Sequence, residues 1–179
     1  MLVLRNPNLM LVGMFSALLH ELGHFFMMQI KGHRIEEVNI GFFTVDIVDR
    51  DRNFGSFTDK FLILISGSLF NFIICLIFFI FFYFTEFSTF KSVAYVNLFI
   101  GILNLLPISS LDGGQIFYNL VLRFFSIRTT DIICSCVSFV FLFPLSVIGF
   151  LTLFKSRYNF SLLFICLYLI YILLSRKEV

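Results

Sequence analysis

Long apolar stretches separated by short polar segments dominate this chain. Each uncharged stretch is at least about 18 residues long, enough for a helix to cross the hydrocarbon core of a bilayer. A fifth stretch, Asn8–Ile30, is equally apolar except for three ionisable side chains within residues 20–24. The pattern therefore predicts about five transmembrane helices. The four uncharged stretches are Phe61–Phe84, Ser92–Leu111, Ile132–Phe154 and Tyr158–Ser175.

These stretches predict an all-α polytopic membrane protein. A soluble protein would need several helices that are apolar on every face, which excludes that class. The first stretch is also too long for the apolar region of a cleaved signal peptide. We expect one membrane-embedded domain, 1–179, with a three-helix core at about 8–125 and extra helices at about 131–154 and 158–175.

The one long polar segment, Lys31–Lys60, has a different pattern. Its centre, Val38–Val48, is rich in β-branched and aromatic residues that partly alternate with polar ones. Residues typical of turns follow at Asp49–Gly55. We predict a short β-hairpin or ribbon at the cytoplasmic membrane surface.

The distribution of Lys and Arg predicts the orientation, because positive loops stay in the cytoplasm. With five spans, one side of the membrane has four of the thirteen Lys and Arg, and the side with Lys31–Lys60 has nine. The segment 31–60 and the C-terminus are therefore expected to be cytoplasmic.

The composition supports a membrane protein. Apolar residues make up 59% of the chain and charged residues 13%, and 28 of the 179 residues are Phe. A soluble domain has about 25% charged residues. We expect a multi-pass integral membrane protein, with the lipid bilayer as its surroundings and no nucleic-acid partner.

The ionisable residues inside the predicted spans are the candidate functional residues, because charge at membrane depth is costly. His20 and His24 are four residues apart, so they lie on one face of a helix and can bind a single metal ion. Glu21, beside His20, can reach a water molecule near that ion. In the His-Glu-x-x-His motif at residues 20–24, the two histidines thus bind the metal and the glutamate acts on the water beside it.

Catalytic zinc takes three protein ligands, so a third ligand is required. The third span is taken to continue past its apolar stretch and to end near Arg123. Asp112 is then the remaining acidic residue well inside a predicted span. Counting at 1.5 Å per residue, His24 and Asp112 both lie roughly 10–17 Å below the cytoplasmic boundary. The alternative role for Asp112 is a helix cap after the break at Asn104–Ser110.

That break is itself expected from the sequence. Pro107, Gly113 and Gly114 interrupt a regular helix around Asp112. Irregular backbone at membrane depth is tolerated only where protein or a water-filled cavity surrounds it, so a cavity is expected here.

The chain resembles the site-2 protease family of intramembrane zinc metalloproteases (peptidase M50). The resemblance is carried by the His-Glu-Leu-Gly-His run at 20–24, the Asn-x-x-Pro…Leu-Asp-Gly stretch at 104–114, and a Gly-x-x-x-Asn motif from Gly67 to Asn71. Residues 31–38 also resemble the subgroup that processes a sporulation pro-sigma factor.

The resemblance implies a zinc metalloendopeptidase that cleaves membrane-spanning or membrane-tethered proteins within or near the bilayer. It assigns one zinc ion per chain to His20, His24 and Asp112, the general base to Glu21, and positioning or polarisation of the substrate carbonyl to Asn71. Asn104 would orient a ligand or line the cavity.

Besides the substrate, a regulatory membrane protein is a candidate partner. Two other functions were weighed: a membrane zinc transporter or metal-binding protein, and a catalytically inactive relative that binds membrane partners. An intact Glu21 argues against the second.

The sequence departs from the family pattern at two places. Members of the sporulation subgroup usually have a spanning helix before the histidine motif, and nineteen residues precede His20 here. Ser109 and Ser110 replace prolines that are common in the aspartate motif, which is expected to loosen that turn.

Overall fold

The computed structural model describes residues 7–32, 35–40, 45–49, 56–156, 167 and 170 of the chain. Over these residues the fold is helical, with one pair of short strands. The elements are α1 (Pro7–Ile30), β1 (Ile35–Ile40), β2 (Val45–Asp49), α2 (Phe57–Thr85), α3 (Ser88–Asn104), α4 (Asp112–Val121) and α5 (Ile127–Ser156).

Three of the described helices are long and apolar enough to cross a membrane: Leu11–Ile30, Phe57–Thr85 and Ile127–Leu151. They correspond to the first, second and fourth predicted spans. The last predicted span along the chain, Tyr158–Ser175, lies almost wholly outside the described residues. The total of five transmembrane helices therefore stays a prediction.

The third predicted span, Ser92–Leu111, is not one continuous helix. Helix α3 ends at Asn104, after 17 residues, and the next helix begins at Asp112. Pro107 lies in the interruption; it has no backbone N–H and its ring fixes φ, so it does not continue a helix. The predicted break at this point is confirmed.

Strands β1 and β2 pair antiparallel, from Ile40 opposite Val45 to Ile35 opposite Asp49, with an irregularity between Ile35 and Glu37. The joining residues 41–44 are outside the described part of the chain. A hairpin at the cytoplasmic surface stays a prediction, because no membrane boundary is fixed by these strands.

The chain divides into two compact units: Val12–Ile102, and Met1–Leu11 together with Leu103–Val179. Each unit is described by itself. The prediction of a single domain over 1–179 is left open by this division.

In the unit Val12–Ile102, helix α1 buries its small and polar residues and exposes its large apolar ones. Its buried stripe, at every fourth position, is Ser16, His20, His24 and Met28. Its exposed residues include Leu11, Phe15, Leu18, Phe26 and Ile30. Lipid tails are as apolar as these side chains, so an apolar face is stable against lipid and small residues mediate helix packing. This arrangement is typical of a helix in a bilayer.

Helices α1 and α2 pack antiparallel. Gly23 lies against Ser66 and Gly67, while a salt bridge of 2.7 Å joins Lys31, just after α1, to Asp59 in the first turn of α2. A Cβ atom on Gly23 would come within 2.8 Å of the Ser66 carbonyl oxygen. The two backbones therefore approach as closely as they do because position 23 is glycine.

Helix α2 has a well-defined start. The Ser56 hydroxyl accepts a hydrogen bond from the Thr58 N–H, and the Asp59 carboxylate accepts one from the Ser56 N–H. This capping box satisfies two N–H groups that a helix start leaves without partners.

In the other unit, a serine pair supports the interruption between α3 and α4. Both the backbone N–H and the hydroxyl of Ser109 contact the Ser138 hydroxyl oxygen on α5, at 2.9 and 2.8 Å. Ser138 donates its own proton to the Cys134 carbonyl, so its oxygen accepts both bonds from Ser109. The expected loosening at Ser109 is therefore offset, because the N–H that a proline would lack has a partner.

Replacing Ser138 with alanine is expected to lower the free energy of unfolding by about 1–3 kcal/mol, because two donors on Ser109 lose their acceptor. Ser146→Ala is the matched control, since the Ser146 hydroxyl bonds only to the Leu142 carbonyl of its own helix. Unfolding of both variants in detergent micelles measures the difference. Equal stability of the two variants would contradict this role of Ser138.

Candidate metal and catalytic site

The two predicted histidine ligands meet on the buried face of α1. His20 is 4% exposed and His24 is 8% exposed. Their Nε2 atoms are 3.2 Å apart, and the two rings are nearly perpendicular, at 87°. The four-residue spacing on one helix turn places both rings on the same stripe, as predicted.

The distance between these nitrogens suits zinc. Zinc–nitrogen bonds of about 2.0–2.1 Å at a tetrahedral angle separate two ligand nitrogens by about 3.3–3.4 Å. The observed separation is 3.2 Å. The histidine pair therefore fits two corners of a tetrahedral zinc site without rearrangement of α1.

The backbone of α2 determines the tautomer of His24. Its Nδ1 lies 2.7 Å from the Ile63 carbonyl oxygen. A carbonyl oxygen can only accept, so Nδ1 carries the proton and Nε2 carries the lone pair. Such a bond to the second ring nitrogen is usual for metal-binding histidines, because it orients the ring and raises its basicity.

Asn71 contacts the other histidine. It is 0% exposed, and its amide nitrogen lies 3.3 Å from Nδ1 of His20. The structure thus brings three of the predicted site residues together within the unit Val12–Ile102: His20, His24 and Asn71.

Gly67 provides the space that both rings occupy. A Cβ atom at position 67 would come within 2.5 Å of His24 Nε2 and 2.8 Å of His20 Cε1. Any larger residue would push the rings away from α2. The Gly-x-x-x-Asn motif therefore has a physical basis: the glycine makes room for the rings, and one turn later the asparagine reaches one of them.

Glu21, the predicted general base, lies on the same turn of α1 as His20 and is half-buried. Its neighbour on the other side, Leu22, is 43% exposed. From His20 through Glu21 to Leu22, successive side chains therefore point progressively away from the buried stripe and toward the outer surface of α1.

Asp112, the predicted third ligand, is the first residue of α4 and is half-buried. The N-cap position is occupied by Leu111, in an extended conformation, and Asp112 follows it in the first turn of the helix. A carboxylate in the first turn of a helix is favoured by the partial positive charge of the helix N-terminus.

The two glycines after Asp112 allow the chain to fold tightly. Cβ atoms on Gly113 and Gly114 would collide with the carbonyl groups of Leu105 and Ile108, respectively. Since backbone cannot move aside as a flexible side chain can, these positions accept only glycine in this conformation. The turn before Asp112 therefore packs directly on the start of α4.

Sequence reasoning missed two contributors. The Ile63 carbonyl has no sequence signal, because every residue has one. Ser66, whose hydroxyl donates to the same carbonyl at 2.6 Å, looks like an ordinary small packing residue. Asn104, proposed from the resemblance, is the last residue of α3 and is half-buried.

Comparison with known proteins gives a match to a family model and a match to a solved structure. Residues 84–145 match the model of peptidase family M50. No curated protein gives a significant match. The solved structure of the site-2 protease from Methanocaldococcus jannaschii aligns with a TM-score of 0.72 and 21% sequence identity, over 99% of this chain and 83% of that chain. At this identity the likeness shows a shared fold.

The matched region contains Asp112 and the break before it, whereas the histidine motif lies N-terminal to it. Resemblance to the sporulation subgroup stays a prediction. The apolar helices and the fold make the chain a multi-pass membrane protein. The region 84–145 thus matches the model of peptidase family M50, and the chain has the fold of the site-2 protease from Methanocaldococcus jannaschii.

Proposed function

We propose that this protein is an intramembrane zinc metalloendopeptidase. It would hydrolyse peptide bonds of membrane-spanning or membrane-tethered proteins, within or near the bilayer. The observation that carries the proposal is the buried pair His20 and His24, whose Nε2 atoms are 3.2 Å apart on a membrane helix.

The donor set of the proposed site is two imidazoles and one carboxylate: His20, His24 and Asp112. Three such ligands are the usual complement of catalytic zinc, which keeps a fourth position for water or substrate. The half-buried Asp112 adds a negative charge to the neutral imidazoles. A zinc ion bound there supplies Lewis acidity, which activates a water molecule and polarises the scissile carbonyl.

Glu21 is the proposed general base. Its carboxylate takes the proton of the attacking water, and the same group then gives a proton to the leaving amine. The half-buried position of Glu21 suits this exchange, because the group stays close to the histidine pair without being sealed inside the helix packing.

The depth of the site indicates where a substrate would be cut. His24 lies seven residues and His20 eleven residues before Lys31, which is about 10 and 17 Å along a helix. The Lys31–Asp59 salt bridge marks the polar end of the helix pair. If segment 31–60 is cytoplasmic, the cut falls in the cytoplasmic half of the bilayer.

A substrate helix has to unwind before cleavage, because its amides are engaged in internal hydrogen bonds. We propose that the segment Val38–Val48 holds the unwound stretch as an added β-strand. The antiparallel pairing of β1 and β2 supports this, since a two-stranded sheet has edges with available backbone groups.

A bacterial cell membrane as location and a regulatory membrane protein as partner are also part of the proposal. Neither a zinc transporter nor an inactive relative is favoured by a specific observation within the described residues.

Purified protein is expected to contain about one zinc ion per chain. Since three ligands are the minimum for this type of site, His20→Ala, His24→Ala and Asp112→Ala should each lose most of the metal. Elemental analysis of the purified variants measures this. Full zinc content in Asp112→Ala would show that the third ligand lies elsewhere.

Glu21→Gln is expected to keep zinc but lose cleavage by at least about 100-fold, because an amide cannot accept the proton of water. Comparative proteomics of cells with wild-type or variant protein should show uncleaved membrane proteins accumulating with Glu21→Gln. Cleavage within a few-fold of wild type would eliminate the general-base role.

Gly67→Ala is expected to weaken zinc binding by about 10-fold or more, because the new methyl group displaces both imidazoles from their support. Gly13→Ala is the matched control on α1, since a Cβ there meets nothing within 4 Å. Chelator competition on both variants compares their affinities. Unchanged zinc affinity in Gly67→Ala would contradict the close packing of the rings on α2.

A further inference from the structure

Within the described part of the chain, one end of the Asn71 amide is in a hydrogen bond and the other end has no partner. Its nitrogen lies 3.3 Å from Nδ1 of His20. Its oxygen, Oδ1, is buried and has no hydrogen-bond partner among the described residues. A buried polar atom left unpaired costs about 1–3 kcal/mol, so this orientation needs a physical reason.

The proton positions along the histidine pair supply that reason. The Ile63 carbonyl requires a proton on Nδ1 of His24, which makes His24 Nε2 an acceptor. Read as a hydrogen bond, the contact of 3.2 Å between the two Nε2 atoms has Nε2 of His20 as its donor. Neutral His20 consequently accepts at Nδ1, and the amide nitrogen of Asn71 is the donor it meets.

This hydrogen-bond chain is incompatible with a metal ion bound through Nε2 of His20. A metal ligand needs a lone pair, and His20 has its proton on Nε2 in this chain. To bind a metal through Nε2, the neutral ring must carry its proton on Nδ1 instead. That N–H would then face the amide N–H group of Asn71, donor against donor.

Rotation of the Asn71 amide by 180° removes this conflict. The two ends of the amide are nearly equal in size, so the rotation exchanges oxygen and nitrogen in almost the same volume. Oδ1 then accepts from Nδ1–H of His20, and the unpaired oxygen gains a partner.

We propose that Asn71 is a positioning residue that selects the metal-binding tautomer of His20 by presenting Oδ1 to its Nδ1–H. The proposal rests on the zinc site proposed above. The proton balance closes: the ring loses the proton on Nε2 and gains one on Nδ1, so its charge is unchanged and the Nε2 lone pair becomes available. Asn71 thus does for His20 what the Ile63 carbonyl does for His24.

The difference between these two supports is functional. A backbone carbonyl can only accept, so His24 is held permanently in its ligand tautomer. An amide offers either end, so His20 is stable both with and without a metal ion. The rotated amide also places its N–H groups where the buried Oδ1 lies now.

The test compares the zinc affinities of Asn71→Leu and Asn71→Asp by chelator competition in detergent. Leucine has a similar shape and no hydrogen-bonding group, so affinity should fall by about 10- to 100-fold, as for other supports of metal ligands. Ionised aspartate only accepts and cannot stabilise the metal-free tautomer. Asn71→Asp should therefore bind zinc at least about 3-fold more tightly than wild type.

The matched control is Asn97→Leu on α3. Asn97 is also 0% exposed, but its amide nitrogen bonds to the Val93 carbonyl of its own helix. This variant should bind zinc as wild type does. Visible absorption of the Co²⁺-loaded proteins adds a readout of ligand geometry, which should change in Asn71→Leu and not in the control.

The outcomes separate this inference from the proposed function. Loss of zinc in His20→Ala together with wild-type affinity in Asn71→Leu would overturn only the positioning role. Full zinc binding by His20→Ala would overturn the metal site itself. If Asn71→Leu does not fold, Asn71→Asp decides alone: tighter binding supports the acceptor role, and equal or weaker binding contradicts it.

Discussion

The close approach of α1 and α2 is the constraint on which the histidine pair depends. Gly23 on α1 and Gly67 on α2 let the two backbones come within the distance that a single Cβ atom would prevent. At that separation the Ile63 carbonyl reaches His24 and the Asn71 amide reaches His20. In a bilayer there is no hydrophobic driving force between helices, so such packing and hydrogen bonding have to stabilise the pair.

The same physics explains why polar groups are found where they are costly. The buried positions of α1 and α2 are mostly small or polar residues, with Met28, Ile63 and Ile74 as exceptions, and many of their large apolar residues are exposed. In a soluble protein this distribution would be reversed. His20 and His24 each have a partner on the neighbouring helix, which lowers the free-energy cost of holding them at membrane depth.

The irregular backbone before Asp112 follows a related rule. An interruption at membrane depth has to satisfy its free N–H groups within the protein. Ser109 does so through Ser138 on α5. Where the family pattern commonly has a proline, which has no N–H, this chain has a serine and a partner serine. The two solutions differ in residues and meet the same requirement.

Much of the helical pattern could be predicted because it is local. Residues 61–84 read as a span from their apolar length alone, and the helix found there is Phe57–Thr85. Pro107 marked the break at 104–110, and α3 ends at Asn104, so the apolar run to Leu111 is longer than the helix within it. The span at 158–175 stays a prediction.

The sequence by itself determined the candidate metal ligands on α1, because a helix brings residues four apart onto one face wherever it is placed. The His-Glu-x-x-His motif also named Glu21, the depth count named Asp112, and the family resemblance named Asn71. Only the tertiary structure decided how the histidines are oriented. The contacts of His20 with Asn71, His24 with Ile63 and Ser109 with Ser138 join residues 51, 39 and 29 positions apart. Such contacts depend on which helices pack together and how closely, and no local pattern specifies that.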